Sequence, residues 1–326
     1  MKSTKQKTLH EIGGRSLLGH ALHAAAGINP ERIVTVVGHQ RDQVSPAVDA
    51  ISQELDCEVL QAVQEEQLGT GHAVACGLEP IPEFEGTIIV TNGDVPLLTP
   101  ETIEGLRATH TEQGNAVTVL SMRLEDPTGY GRIIRTNDGS VQAIVEEKDA
   151  TDAQRAITEV NAGIYAFDAA LLRRTLPEIS TDNVQGEKYL TDVLGMARAE
   201  GGRVASVGTD DVWEVEGAND RRQLSDLGRQ LNDRVLRGWM KEGVTVVDPS
   251  STWVDVTVSL ASDITLKPGT QLHGATSVAT GAVVGPDSTL TDTQVGEGAV
   301  VKRTDATEAV IGAGATVGPF TYLRPG

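Results

Sequence analysis

From Leu260 to Leu290 an aliphatic residue recurs every six positions, at Leu260, Leu266, Leu272, Val278, Val284 and Leu290. After a break the period resumes at Ile311, Val317 and Leu323. A small residue follows many of these positions, as in Val278-Ala279, Val284-Gly285, Val295-Gly296, Ile311-Gly312 and Val317-Gly318. A helix repeats its buried face every 3.6 residues and a strand every two, so neither generates this spacing. A parallel β-helix does: each aliphatic residue points inward at an equivalent place in successive coils, and small residues turn the corners. A β-sandwich would need the same period to arise by chance. The change of pattern falls at Val244, so residues 244–326 are predicted to be the start of a β-helix domain, of about four coils.

Ahead of it, Leu224, Leu227, Leu231, Val235 and Trp239 recur at spacings of three and four between Arg221 and Glu242, and Gly243 follows as a stop signal. This predicts one amphipathic connecting helix over 220–243. From about Lys7 to Gly217 the chain alternates β-branched runs with helical patterns. Strands are predicted at Ile33–Val37, Val59–Val63, Thr87–Thr91, Ala116–Met122, Val141–Glu146 and Val160–Phe167. Helices are predicted at Ser16–Ala26, Arg41–Leu55, Gly71–Leu78 and Thr102–Gln113. Such alternation predicts an α/β domain over 1–219 with a largely parallel sheet, whose ligand crevice lies beyond the carboxyl ends of its strands.

Charge limits the partners. With 27 Lys+Arg against 46 Asp+Glu and a net charge of −19, the surface repels nucleic acid and anionic membrane. A phosphate-bearing small molecule remains compatible if a metal ion and a few cations offset the field locally. The two cysteines, Cys57 and Cys76, lack metal or redox spacing and read as reduced thiols. The polar, basic first ten residues contain no secretory signal, and no apolar run approaches membrane-spanning length. The default compartment is a reducing cytoplasm.

Several short motifs fall where strands end. Gln67-Leu68-Gly69-Thr70-Gly71 joins a strand to a helix. Its glycines allow close backbone approach, and the helix N-terminus offers N–H groups to an anion or a polar ring; the turn could equally be structural. Asp94, in Asn92-Gly93-Asp94-Val95-Pro96-Leu97, emerges after the most apolar strand, as either a hard-cation ligand or a turn aspartate. Gly129-Tyr130-Gly131-Arg132-Ile133 reads as a ligand loop or a bulge, and Glu146 with its charged neighbours as a solvated strand end. Asn161, inside an apolar strand, is a hydrogen-bond anchor or a ligand reader. Asn219 is a candidate helix cap, and Lys7 an ordinary exposed cation.

In order and spacing these segments resemble one family. Gln64 through Gly71, GDVPL at 93–97, GYGRI at 129–133, VEEKDA at 145–150, EVNAGIY at 159–165, QGEKYLTDV at 185–193 and EVEGAND at 214–220, followed by a helical arm and hexads, resemble the bacterial bifunctional N-acetylglucosamine-1-phosphate uridylyltransferase and glucosamine-1-phosphate acetyltransferase. The resemblance covers essentially the whole chain. It implies a Rossmann-like nucleotidyltransferase domain, a helical arm and a left-handed β-helix that assembles as a homotrimer. It implies the transfer of UMP from UTP to N-acetylglucosamine-1-phosphate, giving UDP-N-acetylglucosamine and pyrophosphate. Carried over by motif, Asp94 and Asn219 hold Mg²⁺. Gln64, Gly69 and Thr70 read the uracil. Gly131, Glu146 and Asn161 bind the sugar, Lys7 contacts phosphate, and Arg324 contacts the sugar phosphate of the second site. Two other readings stand beside it: a non-catalytic trimeric scaffold, and a pyrophosphorylase for another hexose-1-phosphate.

The sequence departs from the family pattern at both ends. The family opens with a strand and a glycine-rich loop ending G-x-G-T-R-M; here Met1 falls on the methionine of that signature, and Gln6 replaces the proline before Lys7. Such loops supply N–H donors to a triphosphate, so little or no uridylyltransferase activity and an exposed sheet edge or core surface are expected of the chain as written. At the other end the chain reaches Arg324 but not the family's catalytic histidine, so acetyltransferase activity is not expected. A misplaced start codon and a genuine remnant both fit these departures.

Overall fold

The computed structural model describes residues 1–38, 41–55 and 57–325. The chain divides into two compact units. One comprises residues 2–9 and 17–217, the other Met1, 10–16 and 218–326.

The first unit is α/β. Strands form at Ile33–Val37, Val59–Val63, Thr87–Val90, Val117–Arg123, Arg132–Arg135, Val141–Val145, Glu159–Asp168 and Val204–Gly208. Helices between them include Leu17–Ala26, Arg41–Leu55, Thr70–Leu78, Pro100–Glu112 and Asp192–Ala199. The six strands and four helices expected from periodicity are present, with ends shifted by at most two residues. The predominantly parallel sheet is not. In the six-stranded sheet Glu159–Asp168 runs antiparallel to Thr87–Val90, Val117–Arg123 and Arg132–Arg135, and only Val204–Gly208 joins a neighbour, Val117–Arg123, in parallel. The reason lies in the long central strand. Val160, Ile164, Ala166 and Phe167 are fully buried, and a strand covered on both faces shows the same apolar run whichever way its neighbours point.

Helices cover both faces of this sheet. One apolar layer gathers Phe167, Leu172, Val193 and Leu194, the other Ile103, Leu106, Leu120 and Ile164. Each side chain of this size contributes roughly 1.5–3 kcal/mol when withdrawn from water. The remaining two strands, Ile33–Val37 and Val59–Val63, pair in parallel as a separate ribbon. Among the described residues Ile33–Val37 pairs only with Val59–Val63, and Thr87–Val90 only with Glu159–Asp168. The unpaired edges of both strands line one cavity of about 1310 Å³. Thr35 and Thr91, on its wall, have buried hydroxyls without a hydrogen-bond partner.

The second unit is a left-handed parallel β-helix, with five, five and four strands on its three faces. Leu266 stacks on Val284 and Leu272 on Leu290, while Leu260 stacks on Val278. The apparent break after Leu290 is filled. Val295 pairs below Val278, Val301 below Val284 and Ala306 below Leu290. Shortened corners shift the residue count without interrupting the stack. Buried hydroxyls satisfy the corners: Thr270 donates to the Lys267 carbonyl at 2.7 Å and Thr276 to the His273 carbonyl at 2.6 Å.

The amphipathic helix runs Arg221–Lys241 and buries Leu227, Leu231, Asn232 and Leu236. Asn232 fastens it to the first coil, its amide donating to the Thr252 carbonyl at 2.8 Å and accepting from the Val254 N–H at 3.0 Å. Its N-cap is Asp220, which accepts from the Gln223 N–H at 2.8 Å, and not Asn219. A two-stranded ribbon, Glu11–Ile12 with Arg15–Ser16, also joins this unit, the Gly13 carbonyl accepting from the Val256 N–H at 3.0 Å.

Candidate functional site

The cavity of the α/β unit is floored by strands and reaches Glu146, Asn161, Tyr165, Thr70 and Thr191. These residues come from separate segments, and the mixed sheet brings them together. Glu146 follows the strand Val141–Val145. Gly131 lies against it so closely that a Cβ there would sit 2.9 Å from Ile144 Cγ2 and 3.3 Å from Glu146 Oε2. The Gly131 carbonyl accepts from the Asn161 N–H at 2.8 Å. Three of the motif residues, Gly131, Glu146 and Asn161, therefore form one cluster.

Asn161 serves as an anchor as well as a cavity residue. Its Nδ2 donates to the Tyr165 hydroxyl at 2.6 Å and its Oδ1 accepts from the Gly163 N–H at 2.9 Å. Gly163 has φ +75°, and its absent Cβ would meet Asn92 Nδ2 at 2.7 Å, so only glycine keeps this crossing. Glu146 is not the solvated strand end its neighbours suggested. Burial pushes its carboxyl above the ordinary range, with a counteracting hydrogen bond from Thr191 Oγ1 at 3.3 Å and further upward pressure from Asp149 and Asp192. Burial, and then Asp149, also raise Asp192. Burial raises the Tyr165 phenol too, so it stays protonated. The cluster is thus rich in hydroxyl-accepting oxygen and poor in cations, which suits a neutral polyhydroxyl ligand.

Thr70, also on the cavity wall, belongs to the Gln64–Gly71 turn, which is clasped by a segment distant in the chain. The Gly71 N–H donates to the Lys188 carbonyl at 2.8 Å, and Lys188 N–H donates to the Leu68 carbonyl at 2.7 Å. Thr70 Oγ1 accepts from the Leu190 N–H at 3.0 Å. The helix N-terminus, expected to offer free N–H groups, spends the Gly71 N–H on this clasp. Gly69 has φ +107°, and a Cβ there would sit 2.6 Å from the Lys188 carbonyl. Gln64 projects from the carboxyl end of its strand, its N–H donating to the Val37 carbonyl at 2.8 Å.

Lys7, in a short 3₁₀ turn over Lys7–Leu9, is not a bystander. Its Nζ lies 2.5 Å from Asp94 Oδ2, with both side chains partly exposed. Gly217 approaches Asp94 closely: a Cβ there would be 3.1 Å from Asp94 Oδ2, tight enough that the carboxylate would have to shift by a few tenths of an ångström. Asn219 belongs to the solenoid unit. Its N–H donates to Gln223 Oε1 at 2.8 Å, and its carbonyl accepts from the Met1 amine at 3.1 Å. Arg324 is exposed just past the last solenoid strand, Thr321–Leu323. Among the described residues no group of three or more His, Cys, Asp or Glu is arranged to hold a metal.

Thr191, Tyr165 and His72 were not singled out from sequence. Thr191 lies within the QGEKYLTDV motif and Tyr165 closes EVNAGIY, so the motifs contained the signal, but their contacts depend on strand order.

The nucleotidyl transferase family profile matches residues 2–256. The bifunctional protein GlmU of Micrococcus luteus is 70% identical over 336 aligned positions, covering 100% of this chain and 68% of that protein. The GlmU protein of Corynebacterium aurimucosum is 63% identical, covering 100% of the chain and 67% of that protein. The chain thus spans about two thirds of the length of these relatives. A crystal structure of UDP-glucose pyrophosphorylase complexed with UDP-glucose superposes with TM-score 0.56 at 15% identity, over 70% of this chain and 90% of that one, which shows a shared fold. No helix among the described residues is long and apolar enough to cross a membrane.

Proposed function

The chain belongs to the nucleotidyl transferase family, among the bifunctional GlmU proteins, and from that premise we propose that its α/β unit transfers UMP from UTP to N-acetylglucosamine-1-phosphate, forming UDP-N-acetylglucosamine and pyrophosphate. The observation that carries this is the meeting of Gly131, Glu146 and Asn161 in one cluster beside the Gln64–Gly71 turn, the two joined through adjacent residues: the Leu190 N–H donates to Thr70 Oγ1 and Thr191 Oγ1 to Glu146 Oε1. The first group suits a polyhydroxyl ligand and the second a nucleoside base. Glu146 accepts hydroxyl hydrogen bonds from the sugar, and Gly131, without a side chain, lets its strand close on Ile144 and Glu146. Gln64 and the Gly69–Thr70 turn face the base. Lys7, beside Asp94, supplies positive charge toward phosphate.

In phosphoryl chemistry of this kind the protein contributes placement and charge neutralisation. Asp94 would supply a hard oxygen for Mg²⁺, and Asn219, carried over from the family motif, would be a second oxygen donor. Bound Mg²⁺ neutralises charge on the phosphates. Lys7 would exchange its contact with Asp94 for one with phosphate, a swap that costs little at a partly exposed pair. The solenoid is proposed to assemble as a homotrimer, and the unbridged Cys57 and Cys76 agree with a cytoplasmic setting.

Calorimetric titration of the full chain with N-acetylglucosamine-1-phosphate, with glucose-1-phosphate as competitor, tests the reading. Saturable binding lost in Asn161→Ala, with glucose-1-phosphate a weak competitor, is the expected result. Tighter binding of glucose-1-phosphate would replace the proposed acceptor, and magnesium-independent failure to bind UTP would favour a scaffold.

A further inference from the structure

Gln64 is held by two contacts that together fix which way its amide points. Its Nε2 lies 3.2 Å from the Gly69 carbonyl and 3.1 Å from His72 Nδ1. A carbonyl oxygen only accepts, so the atom facing it must be the NH₂ and not the amide oxygen. That choice settles the tautomer of His72. The second amide hydrogen meets Nδ1, which must therefore carry a lone pair, leaving the ring proton on Nε2. Nε2 in turn lies 3.8 Å from Cys76 Sγ, one turn further along the helix Thr70–Leu78. Burial raises the Cys76 thiol above its ordinary value, so the sulfur is a neutral, weak acceptor for that N–H.

Both hydrogens of the Gln64 amide are thus used inside the protein. Oε1 is left as its only group for a ligand, and it is a pure acceptor. We propose that His72 is a positioning residue that locks the Gln64 carboxamide with its oxygen outward, so that the site selects a pyrimidine bearing an imide N–H over one bearing a ring-nitrogen lone pair. Uracil presents an N3–H to such an oxygen. Cytosine presents a lone pair at the same atom, oxygen against nitrogen. A site built around one hydrogen bond rejects the analogue that cannot make it, because its polar group is left unpaired. This inference rests on the reading of Gln64 as a base contact. It adds the group that decides what Gln64 can recognise.

The experiment has two arms on the full chain. The first is the ¹⁵N chemical shift of the His72 ring nitrogens at neutral pH, which reports directly which nitrogen is protonated. The expected result is an unprotonated Nδ1; a proton on Nδ1 overturns the proposal whatever the chain binds. The second is titration of UTP and CTP, with magnesium, into wild type, His72→Asn and His72→Phe. Asparagine places an amide oxygen near the position of Nδ1 and should keep the preference for UTP within about twofold. Phenylalanine removes the acceptor and should narrow the preference by about tenfold, the weight of one directed hydrogen bond. An unchanged ratio in His72→Phe, or equal binding of UTP and CTP by wild type, overturns the proposal. If neither nucleotide binds wild type, the nucleotidyltransferase reading fails, while the nitrogen shifts still decide the orientation of the amide. His72→Asn guards against a folding defect, since its melting curve and its nucleotide ratio are read together.

Discussion

Replacing Glu146 by glutamine should stabilise the α/β unit while weakening the site. Glu146 is mostly buried, its charged form disfavoured first by burial and then by Asp149 and Asp192, with one hydroxyl from Thr191 offsetting part of this. The charges that act on it, Asp149 and Asp192, are both negative. Glutamine keeps the size and the oxygen that accepts from Thr191 but removes the charge. Relief of an unfavourable charge of this kind is worth about 0.5–2 kcal/mol, and each kcal/mol moves the melting midpoint of a domain this size by about 2–4 °C. The sign with pH follows from linkage. A carboxyl whose folded value is raised contributes stability that is intact below its ordinary value, about 4.3, and is lost as pH rises through the folded value. Wild type and Glu146→Gln should therefore melt together near pH 4, with the variant gaining steadily above that and levelling off once Glu146 is ionised in both states. Differential scanning calorimetry from pH 4 to 8 measures this, and titration of N-acetylglucosamine-1-phosphate measures the loss of binding, about tenfold for a charged hydrogen-bond acceptor made neutral. A variant less stable than wild type at pH 8, or a gain that does not change with pH, would refute the account of Glu146 as a strained carboxylate.

Gly131→Ala should force the new methyl against Ile144 and the Glu146 carboxylate, raising the dissociation constant for the sugar phosphate several-fold at a stability cost of about 1–3 kcal/mol, both read by calorimetry. Leu290→Ala, in a fully buried coil position, should cost the solenoid about 2–5 kcal/mol, visible in thermal melts as a lowered transition with nucleotide binding by the α/β unit retained. Asn232→Ala strands the Thr252 carbonyl and the Val254 N–H. It should destabilise the same transition by about 1–3 kcal/mol per group left unpaired, and Asn232→Asp, which sets a buried carboxylate oxygen against the Thr252 carbonyl, should cost at least as much.

The solenoid was legible in the sequence because its coils are stacked nearly in register. An inward position at Leu272 meets an inward position at Leu290, so the tertiary contact is written as a local period. The period blurs between Leu290 and Ile311 because corners shorten and Ala306 takes an inward place that a scan for large aliphatics overlooks. In the α/β unit the individual strands and helices were equally plain, since each depends on its own alternation. The motif residues Gly131, Glu146 and Asn161 were found by resemblance, each ambiguous when taken singly.

The sequence by itself determined the elements, the repeat and the family, because these depend on neighbours in the chain. Tertiary structure decided the direction of the central strand Glu159–Asp168, the burial that unsettles Glu146, the clasp that uses the Gly71 N–H, and the pairing of Lys7 with Asp94. Each of these joins segments far apart in the chain. A side chain's protonation and hydrogen-bond role are set by what stands within a few ångströms of it, and residue order leaves that unstated.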